Sequence, residues 1–328
     1  MAFHEVVPDG EAAKFEGFAR ELSAIQARHA KQSGQVERAL HVKQHVAAVG
    51  ELVVDLKGTT GAGVFAEDGA RFPVYARFSN GASQRQNDKA PNARGFAMKL
   101  VGVRGPKLIP GLEQELTQDF LCISAAELPF RTPDEFMAFV RAAKDGPLLL
   151  VPRLLGGLGL SQGFGVLRRL TKQQPMDSFA TTAFHTGAPI AFGATAAKLG
   201  FFPLQSGAAG HDRSDDAFRA DLLRRLEAGP LSWAVRAQLF VDDQTTPIED
   251  ASVAWAGPWL ELGRLTLNQR DPARGAELDA LVAKMSFDPW HAIAEHRPLG
   301  AIMRSRGAVY GASVKARGAA AEPKSVVF

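Results

Sequence analysis

The stretch "MRSRGAVYGASVKAR", residues 303–317, carries the pattern on which the interpretation of this chain depends. At about 100° per residue, a helix would place Arg306, Tyr310 and Arg317 within roughly 40° of one another. Gly307 and Gly311 lie in the same stretch, and each lowers helix propensity by about 1 kcal/mol relative to alanine. The sequence therefore predicts a helix that presents one tyrosine between two arginines and lets a flat group approach its backbone.

Two interpretations of Tyr310 stay open at this level. On composition alone, the arginines would lie with their stems along apolar surface and their charges in water, and the tyrosine would cover the edge of the core. In the second interpretation the phenol is held as a phenolate, because an arginine one helical turn away stabilises the negative charge. A tyrosinate oxygen is a known axial ligand of haem iron.

Composition excludes several classes of protein. The chain has 328 residues, of which 46% are hydrophobic, and it can bury a substantial core. The net charge is only +3 and the basic residues are scattered among acidic ones, so nucleic-acid binding is not expected. No apolar run approaches the roughly 20 residues that span a bilayer, and the N-terminus lacks a signal-peptide pattern. We expect a cytoplasmic protein with no membrane partner.

Cysteine usage agrees with this expectation. The single cysteine, Cys122, lies in the apolar segment "DFLCIS", which resembles a buried strand. One cysteine can form neither an internal disulfide nor a cysteine-based metal cluster. We expect an inert thiol in the core.

Short apolar segments bounded by Gly, Pro, Asn or Asp predict an antiparallel sheet or barrel. They are "AAVGELVVDL" (47–56), "FPVYARFS" (72–79), "RGFAMKLVGV" (94–103), "DFLCIS" (119–124), "APIAFG" (188–193), "AAKLGFFPL" (196–204), "SWAVRAQLFVDD" (232–243) and "WLELGRLTLNQ" (259–269). The last two alternate apolar and polar residues with a period of two, which is typical of strands.

Helices are predicted around these strands. Residues 1–35 are predicted to form a helical arm, and residues 36–328 one domain. "TPDEFMAFVRAAKDG" (132–146) begins with Thr132 as an N-cap and has Glu135 three residues later, which is a capping-box pattern. The glycine-punctuated stretch 147–165 is predicted to be a connector of turns.

Three stretches together resemble the haem catalase superfamily, and specifically its small bacterial branch of catalase-related peroxidases. They are "RALHVK" (38–43), "ARFSNGASQRQNDKAPNARGFAMKL" (76–100) and "MSFDPWHAIAEHRPLGAIMRSRGAVYGASVKAR" (285–317), and their order and spacing match over roughly residues 36–317. The resemblance implies an α+β fold with a catalase-like antiparallel β-barrel core and surrounding helices. It also implies haem b, lying between the barrel and the C-terminal helix.

The resemblance assigns a role to each matching residue. Tyr310 would be the axial ligand of the haem iron, supported by Arg306 one turn away. His41 would act as the distal base that moves a proton between the peroxide oxygens, because an imidazole exchanges protons near neutral pH. Ser79 would hydrogen-bond His41 and fix its tautomer.

Three further arginines, Arg38, Arg77 and Arg317, would clamp the haem propionates, since guanidinium groups bind carboxylates bidentately. Without the resemblance, we would interpret Arg38 and Arg77 as members of ordinary surface ion pairs. Four other histidines are interpreted as polar residues of the surface or of an outer shell of the site: His45, His185, His291 and His296.

The expected function is a haem-dependent peroxidase that reduces hydrogen peroxide or organic hydroperoxides through a ferryl intermediate, with a small-molecule electron donor and weak catalase activity. The family's distal asparagine has no counterpart in "RAAKDGP" (141–147), which favours peroxidase over full catalase activity. A rearranging or lyase-type haem enzyme acting on fatty-acid hydroperoxides and a non-enzymatic haem-binding protein are the alternatives. A homodimer is expected from the general frequency of symmetric oligomers.

Overall fold

Eight antiparallel strands close into a barrel at the centre of the protein. The computed structural model describes residues 3–90, 92–143, 147–172, 176–208, 210 and 214–327. The described sheet has nine strands, and all but β6 form the barrel: β1 (Gln44–Val54), β2 (Arg71–Asn80), β3 (Arg94–Val101), β4 (Thr117–Ile123), β5 (Phe184–His185), β6 (Ile190–Phe192), β7 (Thr195–Pro203), β8 (Leu231–Leu239) and β9 (Trp259–Leu267).

The strand pairs form a closed ring. Strands β1 to β5 pair in sequence order, β5 pairs with β7, β7 with β8, β8 with β9, and β9 with β1. The short β6 pairs with β7 beside this ring. The predicted α+β fold with an antiparallel barrel core is therefore confirmed.

Aromatic side chains fill the interior of the barrel. Phe78 on β2 and Phe96 on β3 stack with ring centroids 4.5 Å apart, and Trp233 on β8 lies 5.5 Å from Phe96. All three are fully buried. Burial of such rings is a large part of what stabilises a barrel of this size, because each one removes much apolar surface from water. Cys122 on β4 is buried in the same core, as expected, and burial raises its pKa.

Seven helices surround the barrel in the described part of the chain. They are α1 (Glu11–Ser33), α2 (Pro133–Ala143), α3 (Leu150–Leu158), α4 (Leu160–Thr171), α5 (Ala217–Ala228), α6 (Gly275–Lys284) and α7 (Ala301–Ala316). None of the helices described is long and apolar enough to cross a membrane.

The N-cap predicted for α2 is present, but the return bond of the capping box goes to the amide of Arg131 instead of that of Thr132. The backbone amide of Glu135 donates to Thr132 Oγ1 at 3.3 Å, and Glu135 Oε2 accepts from the backbone amide of Arg131 at 2.8 Å. The predicted end of this helix at Gly146 lies outside the described residues.

The prediction that residues 147–165 form a connector of turns is wrong, because most of this stretch is helical. It forms a single turn of 3₁₀ helix followed by α3 and the first half of α4. Leu154 and Val166 are fully buried and pack with Phe130 and Ala142. The burial of these apolar side chains outweighs the low helix propensity of the glycines, which the sequence pattern alone could not weigh.

The predicted N-terminal arm lies against the C-terminal helix. Phe15, Phe18, Leu22 and Ile25 of α1 form a buried cluster with Met137 of α2, next to α7. Arg304 of α7 fastens the arm, since it bonds carboxylates of Glu5 and Glu11 at 2.7 Å.

Candidate functional site

Helix α7 presents Arg306 and Tyr310 to a cavity of about 1330 Å³. Arg306 Nη2 donates to Tyr310 Oη at 3.0 Å, and the guanidinium carbon lies 5.1 Å from the ring centroid. Arg317, directly after the helix, lines the same cavity. The structure thus brings together the three residues of the opening pattern, and a positive charge supports the phenol oxygen.

The two glycines of α7 have different surroundings. A Cβ on Gly307 would lie 3.1 Å from the indole nitrogen of Trp290, which itself donates to the Met303 carbonyl at 2.7 Å. A Cβ on Gly311 would meet no atom within 4 Å. The flat group against the backbone at Gly307 is therefore a tryptophan of this chain, a contact that the sequence did not indicate.

His41 and Ser79 form a second polar group in the cavity wall. His41 Nδ1 lies 3.1 Å from Ser79 Oγ, and both residues line the cavity. The His41 backbone has φ of 57°, in the left-handed region, and its amide donates to the Gly81 carbonyl at 3.1 Å. Residues in that region are strained and recur at functional sites, because the surrounding structure must hold them there.

Gly95 on β3 makes the room that this pair needs. A Cβ at that position would lie 2.6 Å from His41 Nδ1 and 2.8 Å from Ser79 Oγ. Gly95 is part of the "RGFA" segment that supported the resemblance, but its role was not apparent from the residues alone. The distances show why only glycine fits.

His41 is surrounded by positive charge. Burial lowers its pKa to about 3, and the nearby charges of Arg77 and Arg306 act in the same direction. Both effects disfavour the imidazolium form. The imidazole is therefore neutral at physiological pH, with one ring nitrogen unprotonated.

Arg38, Arg77 and Arg317 also line the cavity. Arg38 and Arg317 each donate to the Met285 carbonyl at 2.6 Å, at the end of α6, and Arg77 donates to the His41 carbonyl at 2.7 Å. Among the described residues, no carboxylate forms an ion pair with any of the three. The interpretation of Arg38 and Arg77 as members of surface ion pairs is therefore wrong.

Burial, and after it mutual repulsion, lowers the pKa of arginines in this group. Burial lowers the pKa of Arg77 to about 9, and the charge of Arg317 acts in the same direction. The pKa of Arg38 is also lowered, first by burial and then by Arg77 and Arg317. An anionic ligand with two carboxylates would relieve this repulsion.

The residues present fit a haem group. Tyr310 offers a phenol oxygen for the iron, with a hydrogen bond from Arg306, and the three arginines offer guanidinium groups for the two propionates. Hard oxygen ligation of this kind suits ferric haem.

The rest of the cavity is mostly apolar. Helices α2 and α4 contribute Phe136, Met137, Phe139, Val140, Leu167 and Leu170. In the described part of the chain, the cavity lining includes a single asparagine, Asn92 in the loop between β2 and β3, whose Nδ2 donates to Gln86 Oε1 at 3.2 Å. The helix after β4 thus gives the cavity aromatic and aliphatic side chains.

A buried polar network supports the strands behind His41. His45 Nε2 lies 2.7 Å from Asn80 Oδ1, which also accepts from Arg94 at 2.6 Å. Lys43 Nζ bonds Asp88 at 2.7 Å. These groups connect the ends of β1, β2 and β3 through buried hydrogen bonds, which restrain the local backbone, although His45 Nδ1 is buried without a hydrogen-bond partner.

Of the two positions expected for the other histidines, the surface or an outer shell of the site, the structure excludes the surface. His45, His291 and His296 are at most 1% exposed, and His185 is 9% exposed. Burial lowers the pKa of each of them to about 4, so they are neutral groups of the interior at physiological pH. Their sequence context held no apolar periodicity that could have revealed this.

Comparisons with known proteins identify the fold. No protein-family model matches the sequence, and no curated protein matches it. Among solved structures, a fungal catalase is similar with a TM-score of 0.70 and 18% identity, over 89% of this chain and 61% of that chain. Catalase A from Saccharomyces cerevisiae gives a TM-score of 0.68 and 16% identity, over 89% of this chain and 63% of that one.

A bacterial catalase is similar in the same way, with a TM-score of 0.66 and 19% identity, over 89% of this chain and 59% of that chain. The chain thus spans about three fifths of the length of these catalases. The expected relationship to catalases is confirmed at the level of the fold, whereas membership of the small bacterial branch stays a prediction.

Proposed function

We propose that this chain, which has the catalase fold, is a haem-dependent peroxidase that reduces hydrogen peroxide or organic hydroperoxides with a small-molecule electron donor. The observation that carries the proposal is the shared cavity: Tyr310 with its Arg306 partner and His41 with its Ser79 partner line the same space. The arginines Arg38, Arg77 and Arg317 supply the charge that haem propionates require.

In this proposal, haem b is held through its iron by Tyr310 and through its propionates by the three arginines. The bound iron would supply the redox chemistry that cleaves the O–O bond. The protein must then position the peroxide and move one proton.

His41 is the group that moves this proton. Its Nδ1 is engaged with Ser79, so Nε2 is the nitrogen available to a peroxide. For Nε2 to accept a proton, Nδ1 must carry the ring hydrogen and donate it to Ser79 Oγ. Nε2 takes the proton from one peroxide oxygen and returns it to the other, which leaves as water or as an alcohol.

The lining of α2 supports peroxidase over full catalase activity. The side chains that it gives the cavity include Phe136, Met137, Phe139 and Val140, and none of these can donate a hydrogen bond to a second peroxide molecule. Weak catalase activity is therefore the proposed side reaction.

A second candidate is rearrangement or cleavage of fatty-acid hydroperoxides without an external donor. The apolar cavity side formed by α2 and α4 favours it, because such a surface accommodates an acyl chain. Product analysis with a fatty-acid hydroperoxide, with and without reductant, separates the two: consumption that requires the reductant supports the peroxidase.

The first test is the optical spectrum of the ferric protein purified from haem-supplied cells. Tyr310→Phe should lose or alter a high-spin, tyrosinate-type spectrum. The matched control is Tyr75→Phe, since Tyr75 is the only other tyrosine and its hydroxyl donates to the Ser325 carbonyl at 3.2 Å, away from the cavity. A wild-type protein without haem, or a spectrum that Tyr310→Phe leaves unchanged, would contradict the proposal.

A further inference from the structure

The helical hairpin formed by the turn at 147–149, α3 and α4 exposes an unusual amount of apolar surface. Leu148 is 92% exposed, Leu160 68% and Phe164 57%, while Leu149 and Val151 are 43% exposed. Exposed apolar side chains are common singly, but a concentration of them on one short segment marks an interaction surface. Among the described residues, Phe164 is the only strongly exposed aromatic side chain.

The opposite side of this hairpin packs against the rest of the protein and lines the cavity. Leu154 and Val166 are buried in the cluster with Phe130, and Leu150, Leu167 and Leu170 line the large cavity. The outward residues are therefore not needed to hold the hairpin in place. What remains is an amphipathic unit whose second apolar side has no partner among the described residues.

The charges of the segment have one sign. From 147 to 172 the sequence contains no acidic residue and four basic ones, Arg153, Arg168, Arg169 and Lys172. Arg169 bonds Glu135 at 2.5 Å, but Arg168 and Lys172 are exposed. A helix with exposed apolar and basic side chains and no acidic ones is complementary to an anionic lipid surface.

The spacing on α4 combines both features in one stripe. Leu160, Phe164 and Arg168 follow one another at intervals of four residues, so they lie along one side of the helix. An interfacial helix buries such apolar side chains at the boundary of the acyl chains and keeps its basic side chains among the headgroups.

We propose that the α3–α4 hairpin docks this protein reversibly on the surface of an anionic lipid bilayer. This differs from our expectation that the chain has no membrane partner, which took only spanning segments into account. Docking would bring the apolar side of the cavity next to lipids. That this matters for catalysis rests on the proposed function. The docking itself depends only on the exposed side chains.

The experiment is flotation of the full-length holoprotein with vesicles of phosphatidylcholine, with and without phosphatidylglycerol. We expect binding to the anionic vesicles that weakens as salt is added. Leu160→Glu with Phe164→Glu should abolish binding, and Arg168→Gln with Lys172→Gln should weaken it by roughly tenfold or more. The control is Leu116→Glu with Leu204→Glu, which places the same charges at exposed leucines outside the hairpin.

A second readout does not depend on disruptive substitutions. Phe164→Trp should show a blue shift of its emission on anionic vesicles, whereas Leu204→Trp should not. Absence of wild-type binding at low salt would overturn the proposal, and so would equal binding by the glutamate variants. The proposal would also be overturned if the wild-type protein were a dimer that does not bind vesicles and the glutamate variant of the hairpin were a monomer. The apolar surface would then be a contact between two copies of the chain.

Discussion

At the scale of single residues, His41 is held in a conformation that only its surroundings can maintain. Its φ of 57° is costly for a non-glycine residue, by about 1–3 kcal/mol. The bonds from its backbone amide to Gly81, from Arg77 to its carbonyl and from its ring to Ser79 oppose that cost. The position of the imidazole therefore depends on several neighbours.

Gly95→Ala tests this dependence. The added methyl group would lie 2.6 Å from His41 Nδ1, so the ring must move and the bond to Ser79 must lengthen. If His41 transfers the proton, kcat/KM for peroxide should fall by roughly a hundredfold, because misplacement of about 1 Å has that effect. Steady-state kinetics measures the loss, and the optical spectrum shows whether haem is retained.

The matched control is Gly257→Ala, since a Cβ there would approach only Gln238 Cγ, at 3.9 Å. It should keep wild-type kinetics. Unchanged peroxide turnover in Gly95→Ala that binds haem normally would show that the His41–Ser79 geometry does not limit the reaction.

At the scale of helices and strands, the N-terminal arm depends on one side chain of α7. Arg304 is 12% exposed and bonds Glu5, Glu11 and Glu249. Removing Arg304 takes a cationic partner from three partly buried carboxylates, of which Glu5 keeps Arg297 at 2.6 Å.

We expect Arg304→Ala to lower the free energy of unfolding by about 3 kcal/mol. Urea denaturation measures it. Arg20→Ala is the comparison, because Arg20 and Glu16 are 3.8 Å apart and more than 70% exposed, and such pairs contribute about 0–1 kcal/mol. Equal effects of the two substitutions would mean that the arm is held by its apolar cluster alone.

At this scale, the elements that could be predicted are those that nearby residues determine. The strands were predictable because short apolar segments lie between turn residues. Helix α2 was predictable because Thr132 caps its N-terminus through the amide of Glu135. Helices α3 and α4 were missed because buried contacts of Leu154 and Val166, distant in sequence from Phe130, decide their conformation.

In the candidate site, too, local contacts were predictable from the sequence and contacts across the fold were not. The proximity of Arg306 and Tyr310 follows from helical spacing, and the hydrogen bond at 3.0 Å agrees with it. The roles of Gly95 and Trp290 depend on contacts across the fold, and no local pattern encodes these contacts. The pairing of His41 with Ser79 was accessible only through the resemblance to catalases.

At the scale of the whole molecule, the buried lysine on β7 should make stability depend on pH. Lys198 is 2% exposed, and burial lowers its pKa to about 8 from an ordinary value of 10.5. Above about pH 8 the folded protein releases this proton while the unfolded chain still binds it. The contribution of Lys198 to the free energy of unfolding therefore rises with pH between about pH 8 and pH 10.5, by on the order of 3 kcal/mol.

Lys198→Met should remove this rise, since methionine fills similar space without a titratable group. Urea denaturation of both proteins between neutral pH and about pH 10 measures the difference in slope. The exposed Lys89→Met variant should keep the wild-type slope. A slope retained in Lys198→Met would assign the alkaline gain to other groups.

The β1–β9 pair also determines when this barrel can form during synthesis. Gly50 of β1 faces Leu267 of β9, more than 200 residues later in the chain. A nascent chain on the ribosome can pair β1 with β2 early, but the other edge of β1 waits until most of the protein has been made. Contacts of such separation slow folding and leave an open strand edge on which chains can associate. Chains that stop short of β9 are therefore expected to aggregate rather than to form a smaller barrel.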